Sequence, residues 1–148
     1  MRLFCAAVCT AMIGCGPPEG VQTVPSHWND TGSQSSGNAP TISHTPVEAA
    51  QVFGEDVAIE AEVGDADGDL FVVRVYYRTE TSTEWSYSGL SGDVKTGYSG
   101  AITGTDVASA GMYYYLYAMD NEQNETLLPV NGDSTPWHFR VTLEDTGQ

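Results

Sequence analysis

Positive charge is scarce in this chain: five Lys+Arg stand against 20 Asp+Glu over 148 residues, a formal net charge of -15. Nucleic-acid binders draw affinity from Lys and Arg set against phosphates, so this balance argues against that class. It argues equally against a protein surface that adheres to anionic lipid headgroups. Cysteine is confined to Cys5, Cys9 and Cys15, with none afterwards. The apolar run from Leu3 to Ile13 is too short to cross a bilayer as a helix. No later stretch sustains a helical period. Catalytic signatures are also missing: there is no Gly-rich phosphate loop after a strand, no G-x-S-x-G elbow and no H-E-x-x-H pair. The three histidines, His27, His44 and His138, are far apart, and each reads as packing or surface rather than as a ligand. Carboxylate pairs such as Glu60 and Glu62 are too numerous in an acidic chain to mark general acid–base work individually. No catalytic residue is assigned, and no enzyme is expected.

What is present begins at the N-terminus. Arg2 precedes the apolar run, and Met12-Ile13-Gly14-Cys15 resembles the lipobox of a bacterial lipoprotein signal sequence. In that pattern a small residue precedes a cysteine that is cleaved at and lipidated; Met12 stands where leucine is usual. The resemblance implies a signal peptide over residues 1–15, with Cys15 lipidated and holding the protein in the membrane of the bacterial cell envelope, at the outer membrane or cell surface. Acylation of Cys15 would leave no thiol for a disulfide, a zinc site or a nucleophile. The competing reading is an ordinary secretory peptide that leaves Cys15 as a free thiol. Residues 16–38 are rich in Gly, Pro, Ser and Thr and lack hydrophobic periodicity, the composition of a flexible linker. Such a tether would hold the following domain on the order of 25 Å from its anchor. Within it, His27-Trp28 is read as a sticky but disordered dipeptide. Asn29-Asp30-Thr31 and Asn124-Glu125-Thr126 match a glycosylation acceptor that would matter only in a eukaryotic secretory route.

From Ala39 the pattern changes to short alternating runs broken by Gly, Asp and Asn. Val57, Ile59, Ala61 and Val63 alternate with Ala58, Glu60 and Glu62, the period of a half-buried strand. The same period places Val73, Val75 and Tyr77 inward against Arg74, Tyr76 and Arg78 outward. It also sets Tyr114, Leu116 and Ala118 against Tyr113, Tyr115 and Tyr117, and Phe139, Val141 and Leu143 against His138, Arg140 and Thr142. Weaker strands are expected near Thr41–His44, Glu84–Tyr87 and Tyr98–Thr103. The sum predicts an all-β domain over residues 39–145, a single antiparallel sandwich of about seven strands.

Three stretches carry a family resemblance: Thr41-Ile-Ser-His-Thr-Pro-Val47, Val73-Arg-Val-Tyr-Tyr-Arg78 with Trp85 after it, and Tyr113-Tyr-Tyr-Leu-Tyr-Ala-Met-Asp-Asn121. They resemble fibronectin type III or related immunoglobulin-like domains of bacterial surface lipoproteins. The resemblance implies strand order A, B, C, C′, E, F, G and an inward tyrosine at the start of strand F that bonds to backbone, a position matched by Tyr114. It implies no particular activity.

On that topology strands C, F and G are neighbours. Their outward residues Arg74, Tyr76, Arg78, Tyr113, Tyr115, Tyr117, His138 and Arg140 would then form one face, a combination enriched at binding hot spots. The alternative is that Arg–Tyr pairs merely stabilise an exposed sheet, each by roughly 0.2–1 kcal/mol. A second cluster, Asp65-Ala66-Asp67-Gly68-Asp69, places alternate carboxylates on a tight turn and suits calcium, with Asp120, Asn121 or Asn124 as further ligands. It does not complete an EF-hand, since Leu70 and Tyr76 stand where Gly and Glu are required. The alternative there is a solvated Asp-Gly turn. The expectation is a cell-envelope module for protein recognition or adhesion. A carbohydrate-binding accessory module and a spacer without ligand are the other readings.

Overall fold

The computed structural model of the protein describes residues 37–143. The expected signal peptide, all but the last two residues of the expected linker, and residues 144 and 145 of the expected domain lie outside the described residues. The chain forms ten strands: β1 (Thr41–Ser43), β2 (Gln51–Val52), β3 (Val57–Gly64), β4 (Leu70–Thr79), β5 (Ser86–Gly89), β6 (Ser91–Asp93), β7 (Gly97–Ile102), β8 (Gly111–Asp120), β9 (Glu125–Leu128) and β10 (Trp137–Thr142). Helix is limited, among the described residues, to one 3₁₀ turn at Gly132–Ser134.

The strands make two sheets. One has the order β1-β3-β7-β6, and the other β2-β10-β8-β4-β5 with β9 also on β8. β10 pairs with Gly111–Tyr114 of β8 and β9 with Leu116–Met119, so the two share one flank of that strand in succession. Burial follows the pleat. Val57, Ile59, Ala61 and Val63 of β3 join Val73, Val75 and Tyr77 of β4, Tyr114, Leu116 and Ala118 of β8, and Phe139 and Val141 of β10 in one apolar cluster. That shared core is what a β-sandwich requires, since each sheet buries one face.

The expected single seven-stranded antiparallel sandwich is corrected on two points. There are ten strands in sheets of four and six, and β2 runs parallel to β10, so the larger sheet is mixed. The extra strands β2, β6 and β9 are only two, three and four residues long, too short to display an alternation. β2 arises because the chain leaves the first sheet after β1 and joins the second beside β10. The last strand is split because Pro129 and Pro136 bracket the 3₁₀ turn and cannot donate to a ladder. Leu143, expected inward with Phe139 and Val141, is 77 % exposed because β10 ends at Thr142.

The crossing from β1 to β2 is fastened by polar groups. The Val47 N–H donates to the Tyr114 hydroxyl at 2.8 Å, and that hydroxyl lies 3.0 Å from His44 Nε2. His44 Nδ1 meets the Glu60 carbonyl, which can only accept. In the neutral imidazole the proton is then on Nδ1, and Tyr114 donates to Nε2. Every group in this chain of bonds is satisfied, and it spans both sheets through a fully buried tyrosine. Tyr114 has the inward side chain and backbone bond implied by the resemblance, but the backbone belongs to the β1–β2 crossing.

Tyr114→Phe strands the Val47 N–H and the His44 ring, so it should cost about 1–3 kcal/mol in urea unfolding. Burial pushes the Tyr114 phenol up to about 12, with the Val47 N–H acting the other way. An acid whose folded pKa is raised stabilises the fold while protonated, so this contribution is present below about pH 10 and lost as pH climbs through the folded value. The deficit of Tyr114→Phe relative to wild type should shrink over that interval. A deficit unchanged by alkali would contradict this role.

Candidate functional site

The register of three strands builds the outer face of the larger sheet. Antiparallel pairing sets Arg74 opposite Tyr117, Tyr76 opposite Tyr115 and Arg78 opposite Tyr113. On the flanks, Tyr87 of β5 is opposite Tyr76, and His138 of β10 is opposite Tyr113. Cross-strand partners on one face are close enough for aromatic and long side chains to touch. Tyr76 and Tyr115 stack with planes 4° apart and centroids at 5.0 Å, and Trp85 meets Tyr115 edge-on at 4.9 Å. The arginines lie over rings: Arg74 is 4.4 Å from the centroid of Tyr87, and Arg78 is 4.5 Å from Tyr113 and 5.0 Å from Trp85.

All eight residues expected on this face are there, but they are not equivalent. Tyr115 is only 9 % exposed, beneath Tyr76 and Trp85 and beside the turn at Gly132, so it is the floor of the face rather than a contact residue. Arg78 is held by a 2.7 Å bond to the Ser82 carbonyl. Tyr117 donates to Glu125 Oε1 at 2.7 Å. Its phenol is pushed up by burial and then by the Glu125 bond and charge, so it stays protonated. His138 pairs with Glu80 at 2.6 Å and tilts against Tyr113. Arg140 is exposed, opposite Gly111. The groups most available to a ligand are Tyr87, 55 % exposed, with the half-buried Arg74 guanidinium resting on it, and the exposed Arg140 and His138. Sequence reading missed Trp85 and Tyr87 as members of the face. Their alternation with Ser86 was a usable signal, but the short edge strand β5 left its facing undecided.

The acidic cluster lies where β3 passes into β4 and β8 into β9. One carboxylate oxygen from each of Asp65, Asp69 and Asp120 falls within 4.8 Å of the others. Three of the five expected metal ligands thus converge. Asp67 instead turns away, its Oδ2 accepting the Asn38 N–H at 2.7 Å. Asn124 serves Asp120, donating its backbone N–H at 2.8 Å and its side-chain amide at 2.6 Å. Asn121, named as a further possible ligand, donates its side-chain amide to the Asp69 carbonyl at 2.8 Å and ties the two segments together. The Gly68 φ of 76° lies in the left-handed region, which glycine adopts without strain. Burial tends to raise the Asp120 carboxyl, but the Asn124 donors and the backbone N–H groups of the turn outweigh it and hold the group below the usual range. Asp69 is pushed upward, first by burial, then by its hydrogen bond and charge interaction with Asp65, and further by Asp120 and Glu122. An oxygen-only set of this kind suits a hard cation such as calcium.

No family model matches the chain, and no curated protein matches it in sequence.

The distinction between floor and rim is measurable. Tyr115→Ala removes a buried ring from the stack and should destabilise the fold by about 3 kcal/mol in urea. Tyr87→Ala removes an exposed edge ring and should cost no more than about 1 kcal/mol. Equal costs would show that the two rings are packed alike.

Proposed function

We propose that the protein is a non-enzymatic lipoprotein of the bacterial cell envelope. Its single fibronectin-III- or immunoglobulin-like module would serve to recognise another protein. The observation that carries this reading is the gathering of Arg74, Arg78 and Arg140, all the arginines after Arg2, on one sheet face among five tyrosines and Trp85. Arginine and large aromatic residues dominate binding hot spots because they offer wide, stiff contact area at small entropic cost. On so acidic a chain, this face is also where an acidic partner meets least repulsion, so the partner's contact surface should present carboxylates beside apolar side chains.

The module reading is supported by strand order. β1-β3-β7-β6 against β10-β8-β4-β5 follows A-B-E-D against G-F-C-C′ in immunoglobulin terms. The anchor rests on Met12-Ile13-Gly14-Cys15.

Arg74→Glu with Tyr87→Ser changes the exposed ring of β5 and the guanidinium resting on it, and should leave the melting temperature within about 2 °C of wild type. Detergent-extracted envelope proteins should include one that immobilised wild type retains, that salt releases, and that the double variant fails to hold. Equal retention by both proteins would remove the face from the mechanism. Retention that survives protease treatment of the extract and requires polysaccharide would favour the carbohydrate-binding reading. Cys15→Ser should move the protein from the membrane to the soluble fraction; unchanged fractionation would overturn the anchor.

A further inference from the structure

We propose that Asp65, Asp69 and Asp120 bind one calcium ion, which fastens the loop between β3 and β4 to the turn between β8 and β9. The first observation is geometric. Two oxygens held on one calcium at about 2.4 Å can be at most about 4.8 Å apart, and the three carboxylates meet that limit. The second is independent of their number. Asp65 Oδ2 is shut off from solvent, and no N–H or hydroxyl group donates to it. A buried carboxylate oxygen without a donor is costly, and a cation is the partner that an all-acidic neighbourhood can accept. The ion pair between described residues, His138 with Glu80, lies elsewhere, so no basic side chain neutralises the cluster.

The surroundings are arranged around these oxygens. Asp120 is 1 % exposed at the end of β8, and the amide and backbone of Asn124 hold its carboxylate ionised and oriented. Both N–H groups of Asn121 that reach the Asp69 carbonyl keep the two segments in register. Asp65 also caps its own loop by accepting the Asp67 N–H on Oδ1, which leaves Oδ2 for the ion. Water or backbone carbonyls would complete the six to eight oxygens that calcium takes. Since Asp67 of the same loop holds the Asn38 N–H, the ion would also steady the start of the domain. This site is independent of the aromatic face, and either assignment can fail without the other.

The test uses the full chain, stripped with a chelator and titrated with calcium chloride in a calorimeter, alongside thermal unfolding with and without calcium. One ion should bind per chain. The melting temperature should rise on the order of 10 °C at a hundredfold excess over Kd. Asp69→Asn should abolish both responses yet melt no lower than wild type in chelator, because its amide can donate to Asp65 and removes one negative charge. A merely structural Asp69 predicts the opposite, a lower melting temperature in chelator. Asp65→Asn provides a second variant should the first fail to fold. No heat and no thermal shift in wild type would overturn the site, as would an undiminished shift in Asp69→Asn. An equal response to magnesium would overturn the assignment to calcium.

Discussion

The pairing of β4 with β8 is the constraint on which the other features of this domain depend. It runs from Leu70–Asp120 to Thr79–Met112, with one irregularity between Leu70 and Val72. Side chains alternate along a strand, so a slip of one residue would exchange core and surface on both strands at once. In the observed register, Val73, Val75 and Tyr77 pack with Tyr114, Leu116 and Ala118. The same register sets Arg74, Tyr76 and Arg78 against Tyr117, Tyr115 and Tyr113 outside. At its end it places Leu70 beside Asp120, which carries Asp69 to the acidic cluster. Core, aromatic face and carboxylate cluster are three consequences of one ladder.

Polar groups hold the periphery where strands are too short to do so. The chain of bonds from Val47 through Tyr114 and His44 to Glu60 secures the crossing between sheets. Tyr77, on the inner face of β4, reaches Asp106 at 2.7 Å and secures the loop after β7 in a similar way. Both tyrosines are buried rings with a hydroxyl directed at a loop, an economical way to tie irregular backbone to a sheet. The outer tyrosines differ. Tyr76 and Tyr115 stack on each other, and the arginines lie over rings, so the face is rigid without a salt bridge from Arg74 or Arg78. Rigidity of this kind lowers the entropic cost of binding.

Much of the fold was legible in the sequence, because the long strands β3, β4, β8 and β10 obey the period of two. Their inward residues were assigned correctly except Leu143, which lies past the end of the ladder. The short elements were not legible. Gln51–Val52 shows no alternation, and its parallel pairing with Val141–Thr142 depends on where the chain goes after Pro46. The candidate sites were legible to the same degree. The outward Arg and Tyr positions followed from alternation. The burial of Tyr115 did not, because it depends on Trp85 and Gly132 arriving from other segments. Asp65, Asp67 and Asp69 looked alike in sequence, yet only two of them turn toward Asp120.

The sequence by itself determined which side chains share a face, because the pleat is a local property of an extended backbone. It also determined the excess of acid, the absence of cysteine after position 15 and, among the described residues, the absence of any helical domain. Only the tertiary structure decided which strands became neighbours, which rings were covered, and which of several similar carboxylates met. Those outcomes rest on pairings between residues far apart in the chain, whose register is set by the packing of the whole core.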